Sequence, residues 1–197
     1  MAISKTELVN RSLTLVGANP ITSIDDDTRP ANIVNRVYEI ALRSILSECK
    51  WNFATKRNLL AEVDTDLDWY YTNETYIYQR PIDCIRIFDT NDQYATWRLE
   101  GNYIISDTQG LGIAYVYYLD DPSKYTSTFI DALCDKLCSD IAYMIVNSTT
   151  KAESFLEKYE KVSLPKARAE NAQVGTQQLP LDDAWILSKY DNGSLSA

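Results

Sequence analysis

The hydrophobic period of this chain changes twice, which constrains the fold more than any single motif. Apolar residues recur at steps of three and four across residues 30–49, and at steps of two across 51–119. From about residue 126 the steps of three and four return. The first spacing lines one face of a helix and the second one face of a strand. A β-rich stretch is therefore inserted between two helical pieces. The expected fold is α+β: an antiparallel bundle of about four helices from residues 1–50 and 125–173, an antiparallel β-rich region at 51–124, and an extended C-terminal docking tail at 174–197.

The helices carry their own start and stop signals. Ser4, Lys5, Thr6 and Glu7 form a capping box, with Ile3 and Leu8 at the staple positions around it. Leu8, Val9, Leu13, Leu15 and Val16 make the apolar stripe, and Gly17 provides the left-handed stop before Asn19 and Pro20. The second helix opens near Pro30 and buries Val34, Val37, Tyr38, Ala41, Leu42, Ile45, Leu46 and Cys49. A third begins near Thr126. Ile130, Cys134, Leu137, Ile141 and Met144 form its stripe, widened by Phe129, Leu133 and Ile145, while Asp131, Asp135, Lys136 and Asp140 stay wet. Thr150 to Glu153 reads as a second capping box, with Phe155, Leu156, Tyr159 and Val162 inward and Glu157 paired with Lys161. Pro165 kinks or restarts this last helix.

In the middle, Ile82, Cys84, Arg86 and Phe88 alternate with Asp83, Ile85 and Ile87, and Tyr115, Tyr117 and Leu119 alternate with Ala114, Val116 and Tyr118. Turn signals at Thr90-Asn91-Asp92, Glu100-Gly101-Asn102 and Gln109-Gly110 predict an antiparallel meander. The last strand is large and apolar on both faces. One face can lie on helices; the other needs a second sheet layer or a neighbouring chain.

Composition removes several kinds of chemistry. The chain has no histidine, hence no imidazole base or ligand. Its 28 acids against 19 bases give a net charge of −9, and no Lys/Arg cluster is present to grip phosphates. The four cysteines lack zinc-site spacing and read as small buried hydrophobes in a reducing cytosol. No apolar run is long enough to span a bilayer, and the first residues have no signal-peptide pattern. No phosphate loop, nucleophile elbow or repeat occurs, so no cofactor, metal or catalytic residue is assigned.

Two acidic clusters and the tyrosines remain. Asp64, Asp66 and Asp68 open like a calcium loop, but Trp69 stands where glycine is required and Thr75 where glutamate is, so the loop reads as solvated. Asp25, Asp26 and Asp27 supply negative charge and capping to the second helix. Among the fourteen tyrosines, Tyr76, Tyr78, Tyr115, Tyr117 and Tyr118 cluster in the strand region without interleaved basic residues, a pattern of core or protein interface rather than nucleic-acid stacking. Leu179, Leu181, Trp185, Ile186 and Tyr190 give the tail an apolar content suited to docking.

Several short segments, taken in order, resemble the head-to-tail adaptor proteins of tailed bacteriophages, the tail tubular protein A type and related portal-bound connectors. They are residues 10–20 with Gly17 and Pro20; 46–60 with Trp51, Asn52 and Phe53; 80–87 with Pro81 and Asp83; 100–104 with Gly101; and Phe129 opening the third helix. The resemblance covers about residues 5–173 and matches the tail only loosely, around Trp185. It implies a structural virion protein made in the host cytoplasm. Some twelve copies would form a ring beneath the portal, joined below to a tail nozzle or next tail ring. Double-stranded DNA would pass through without sequence-specific contact, and no membrane is involved. A ring of twelve carries roughly −108 charges, which repels DNA from the wall. The competing readings are a carboxylate-based hydrolase of cell-surface polysaccharide, motivated by the acidic loops, and a non-viral protein-binding module using the tyrosine-rich sheet.

Overall fold

The computed structural model describes residues 3–64 and 75–174, a mixed α+β chain of helices and two small antiparallel sheets. Helix α1 is Lys5–Val16, with the Ser4/Glu7 capping box formed and Gly17 closing it in the left-handed conformation at φ 87°. Helix α2 is Arg29–Ser47. Its cap is Thr28, which accepts the Ala31 N–H, rather than the preceding aspartates. Those do other work: the Asp26 carboxylate accepts the Thr22 and Ser23 N–H groups, and Asp27 accepts from the Asn32 side chain. Helix α3 is Ser127–Val146, capped by Thr126, and packs against α1, α2 and the C-terminal helices.

The C-terminal helices depart most from the sequence reading. Helix α4 is Thr149–Lys158 and α5 is Leu164–Gln173, joined by a π-helical turn over Tyr159–Ser163 into one rod, so the described residues form four helical rods. The cap of α4 is Ser148, two residues before the predicted Thr150, and the Lys151 ammonium instead donates to the Val16 carbonyl at 2.8 Å. Pro165 accounts for the π-turn. It has no N–H to offer Lys161 and its ring crowds that carbonyl, so the backbone takes an extra residue, with Leu164 N–H reaching Tyr159. The extra residue rotates the helix beyond it. Val162, predicted inward, is 56% exposed, while Ser163, Leu164 and Ala167 are buried. Asp135, predicted wet, is 2% exposed and faces that turn, and Met144 is exposed at the end of α3.

The strands are β1 (Thr55–Leu59), β2 (Tyr76–Gln79), β3 (Cys84–Thr90), β4 (Trp97–Glu100), β5 (Tyr103–Ser106) and β6 (Gly112–Tyr117). They do not form a meander. One sheet has the order β1-β6-β3 and the other β2-β5-β4, all pairs antiparallel, and among the described residues only β4 and β5 are joined as a hairpin, with Gly101 at φ 57° in its turn. Strand β3 is bulged at two places, between Cys84 and Arg86 and between Ile87 and Asp89. The bulges break strict alternation, so Cys84 and Ile87 share one core while Ile85 and Phe88 share the other. Ile82 lies outside β3, fully exposed in the turn that Cys84 N–H closes onto Pro81.

Two apolar cores result. The larger joins α1, α2, α3 and the C-terminal rod with Val116 of β6; the smaller sits between the sheets, around Leu60, Tyr78, Ile104, Leu111, Ile113 and Tyr115. The second face of β6 is thus covered by the chain's own second sheet, and each fully buried Leu or Ile contributes about 2 kcal/mol. Among the described residues no helix is long and apolar enough to cross a membrane.

Candidate interaction surface

Three of the motif residues, Trp51, Phe53 and Phe129, meet where the helices give way to strands. Trp51 follows α2, is fully buried, and donates its indole N–H at 2.9 Å to the Ile45 carbonyl, which also accepts the Glu48 N–H that closes the helix. Its ring lies 4.9 Å from that of Phe129, edge-on at 77°. Phe53 meets Phe129 at 4.8 Å and Tyr125 at 5.6 Å. Residues 51 and 53 on one side of the strand region, and 125 and 129 on the other, therefore close the two helical pieces over a single aromatic cluster.

Asn52, between the two aromatics, faces outward to α5. Its backbone N–H donates to the Asn171 side-chain oxygen and its side chain donates to the Asn171 carbonyl, both at 2.8 Å, while the Asn171 amide donates to the Lys50 carbonyl at 2.6 Å. The Arg168 guanidinium adds a contact to the Glu48 carboxylate at 2.5 Å. A similar clip holds the first motif: the Asn10 side chain donates to and accepts from the Ile21 backbone, 2.8 Å each way. Sequence reasoning missed Asn171 and Ile21 as partners, because nothing local marks them.

Asp83 ties together the sheet beneath. Its carboxylate accepts the Lys56 ammonium at 2.5 Å and the Tyr115 hydroxyl at 3.2 Å, and its carbonyl accepts the Tyr118 N–H at 2.7 Å. Burial first, and the Asp83 charge second, push the Tyr115 hydroxyl up to about 12. Pro81 forms the turn before it, and the Arg80 guanidinium reaches the Cys84 and Ile85 carbonyls.

The structure divides the tyrosines proposed as interface. Tyr78 and Tyr115 are buried and belong to the core between the sheets; the Tyr78 hydroxyl donates to the Thr108 carbonyl at 2.8 Å. Tyr76 is half-buried at the same core. Tyr117 and Tyr118 are half-buried with a cation over each ring, Lys56 at 4.0 Å and Arg43 at 4.3 Å. Leu179, Leu181, Trp185, Ile186 and Tyr190 lie outside the described residues, as do Asp66, Asp68 and Trp69. Gly17 and Gly101 sit in exposed turns, and Pro20 is exposed in the loop between α1 and α2.

Large apolar side chains are exposed on both layers: Ile40 at 68% on α2, Leu59 at 72% on β1, Tyr143 on α3 and Val162 on the C-terminal rod. Among the described residues no group of three histidine, cysteine, aspartate or glutamate side chains could hold a metal ion. Cys134 and Cys138 are buried against the Leu8 and Ser12 carbonyls, and burial pushes the Cys138 thiol up to about 12. Neither a protein-family model nor a curated protein matches this chain.

Proposed function

We propose that this chain is a structural subunit of a bacteriophage head-to-tail connector. It would form a ring of about twelve copies beneath the portal, hold the tail's first component below, and line the DNA exit channel, without enzymatic activity. The observation that carries the reading is the aromatic cluster. Trp51, Phe53 and Phe129 belong to separate segments of the resembling series, yet Phe129 packs within 4.9 Å of each of the other two, with Asn52 beside them holding α5. Side chains that build the seam between a helical bundle and an inserted β-rich part are the ones such a family would share.

Two further features support it. A closed ring needs two different faces on each protomer, and exposed Ile40 on α2 and Leu99 on β4 give the helical layer and the strand region an apolar site each. The net charge of −9 per copy suits a wall that DNA must pass without sticking. In this reading residues 174–197 are the docking tail. Mixing the full chain with the portal protein encoded beside it tests the proposal. Ring-on-ring particles by electron microscopy are the expected result, and absence of any binding to that portal rejects it.

A further inference from the structure

The β1-β6-β3 sheet ends on an open edge. Strand β1 pairs with β6 from Thr55 opposite Val116 to Leu59 opposite Gly112. The Leu60 N–H donates to the Leu111 carbonyl at 2.9 Å, which sets the phase of the ladder. Hydrogen-bonded and non-hydrogen-bonded pairs alternate, so the backbone groups of Lys56 and Asn58 turn toward β6 and those of Thr55, Arg57 and Leu59 turn away from it. Two other edges are protected. Strand β3 is bulged twice and its Cys84 and Ile85 carbonyls take the Arg80 guanidinium, while β2 is met by a bridge from Glu62 and by the Val63 N–H. Strand β1 is regular and has neither device among the described residues. An edge of this kind is a template for one more strand.

The surroundings of β1 specify what that strand would carry. Arg57 and Leu59 stand on the helix-facing side of the sheet, past the point where helices cover it. There, with Asp89, Asn91 and Ala114, they line a concave cleft of about 400 Å³. Arg57 has no acidic partner among the described residues, and Leu59 is 72% exposed. An incoming strand therefore needs bulky apolar residues and an acid on one face.

The chain has such a segment, and it starts nearby. Helix α5 ends at Gln173, and the Asn171 clamp fixes that end to Lys50 and Asn52, three residues before β1 begins. Residues 175–178 extended reach about 13 Å. Pro180, which has no N–H, is the last residue excluded from a ladder. Next come Leu181, Asp182, Asp183, Ala184, Trp185, Ile186 and Leu187, in which Leu181, Asp183, Trp185 and Leu187 fall on one face at strand spacing.

We propose that residues 181–187 add to β1 of the same molecule as an edge strand, with Trp185 and its apolar neighbours in the cleft and Asp183 against Arg57. This assignment does not depend on the connector reading. Per-residue amide exchange by NMR on the full ¹⁵N-labelled chain tests it. Arg57 and Leu59 amides are expected to exchange about tenfold or more slowly than exposed loop amides, equally at low and high protein concentration. Trp185→Ser should abolish that protection. Arg57→Pro removes an outward donor, so it should free residues 181–187 while Lys56 and Asn58 stay protected. Fast exchange of Arg57 and Leu59 in the unsubstituted chain overturns the proposal, as does protection that survives Trp185→Ser. Protection that grows with concentration assigns the strand to a second copy and overturns it equally.

Discussion

Asn52 and Asn171 are joined by two hydrogen bonds, both donated by Asn52, one from its backbone N–H and one from its side-chain amide, across 119 positions of sequence. Both contacts are 2.8 Å, and a third from the Asn171 amide reaches the Lys50 carbonyl. The pair fixes the C-terminal helix to the aromatic seam, and so determines where the chain emerges after residue 174.

Asn171→Ala removes the acceptor for the Asn52 backbone N–H and the donor for Lys50. The expected cost is about 1–2 kcal/mol in urea denaturation. Amide exchange should accelerate over residues 164–173 while α1 and α2 are unchanged, since the lost contacts hold α5 alone. Uniform acceleration across the molecule contradicts a local clamp.

Lys158 and Lys161 form ion pairs of similar length, 2.9 Å to Asp135 and 2.7 Å to Glu157. Burial separates them. The Asp135 side chain is 3% exposed and is also held by the Ser163 hydroxyl, whereas that of Glu157 is 64% exposed. Lys158→Met leaves a buried carboxylate short of a donor and is expected to cost about 2–3 kcal/mol. Lys161→Met removes a solvent-screened pair and should cost far less than the other substitution. Equal losses in chemical denaturation reject this ranking.

Alkaline stability reflects the buried tyrosines. Burial pushes Tyr159 as well as Tyr115 up to about 12, and raises Tyr38 and Tyr125 further. Unfolded tyrosine ionises at about 10, so the unfolded chain gives up these protons first. Their stabilising contribution is complete below that pH and is lost as pH climbs through the folded values. The denaturation midpoint should fall between about pH 10 and 12. Phenolate absorbance should show a late-titrating subset, and simultaneous titration of every tyrosine at about pH 10 contradicts it.

Gly110 at φ 69° precedes β6, and a side chain placed there meets nothing within 4 Å. Gly110→Ala therefore costs only backbone strain, about 1 kcal/mol, measured as a lower melting temperature with unchanged circular dichroism. Gly112→Ala acts differently. Its new methyl lands 3.1 Å from the Asn91 side chain, whose oxygen accepts the Gly112 N–H at 2.8 Å, so that bond is displaced as well.

Local chemistry made much of this molecule legible. The Ser4/Glu7 box, the Gly17 stop, the apolar face of α2 and the strand character of the middle all arise from residues a few positions apart, where 3.6- and 2-residue periods act. The sequence also required a cover for the second face of β6, though not which element supplies it. Alternation identifies a strand and says nothing of its neighbour, so the meander gave way to β1-β6-β3 and β2-β5-β4. The division of the tyrosines was hidden for the same reason: Tyr78 and Tyr115 are core only because the second sheet closes over them.

The order and type of the elements were determined by the sequence itself, because capping, turn chemistry and hydrophobic period are short-range forces. Only the tertiary structure decided which way the C-terminal rod faces. Pro165 inserts a π-turn that rotates the helix, burying Ser163 against Asp135 and turning Val162 to solvent. The same holds for Asn52 with Asn171 and for Trp51 with Phe129, contacts formed between segments that packing alone brings together.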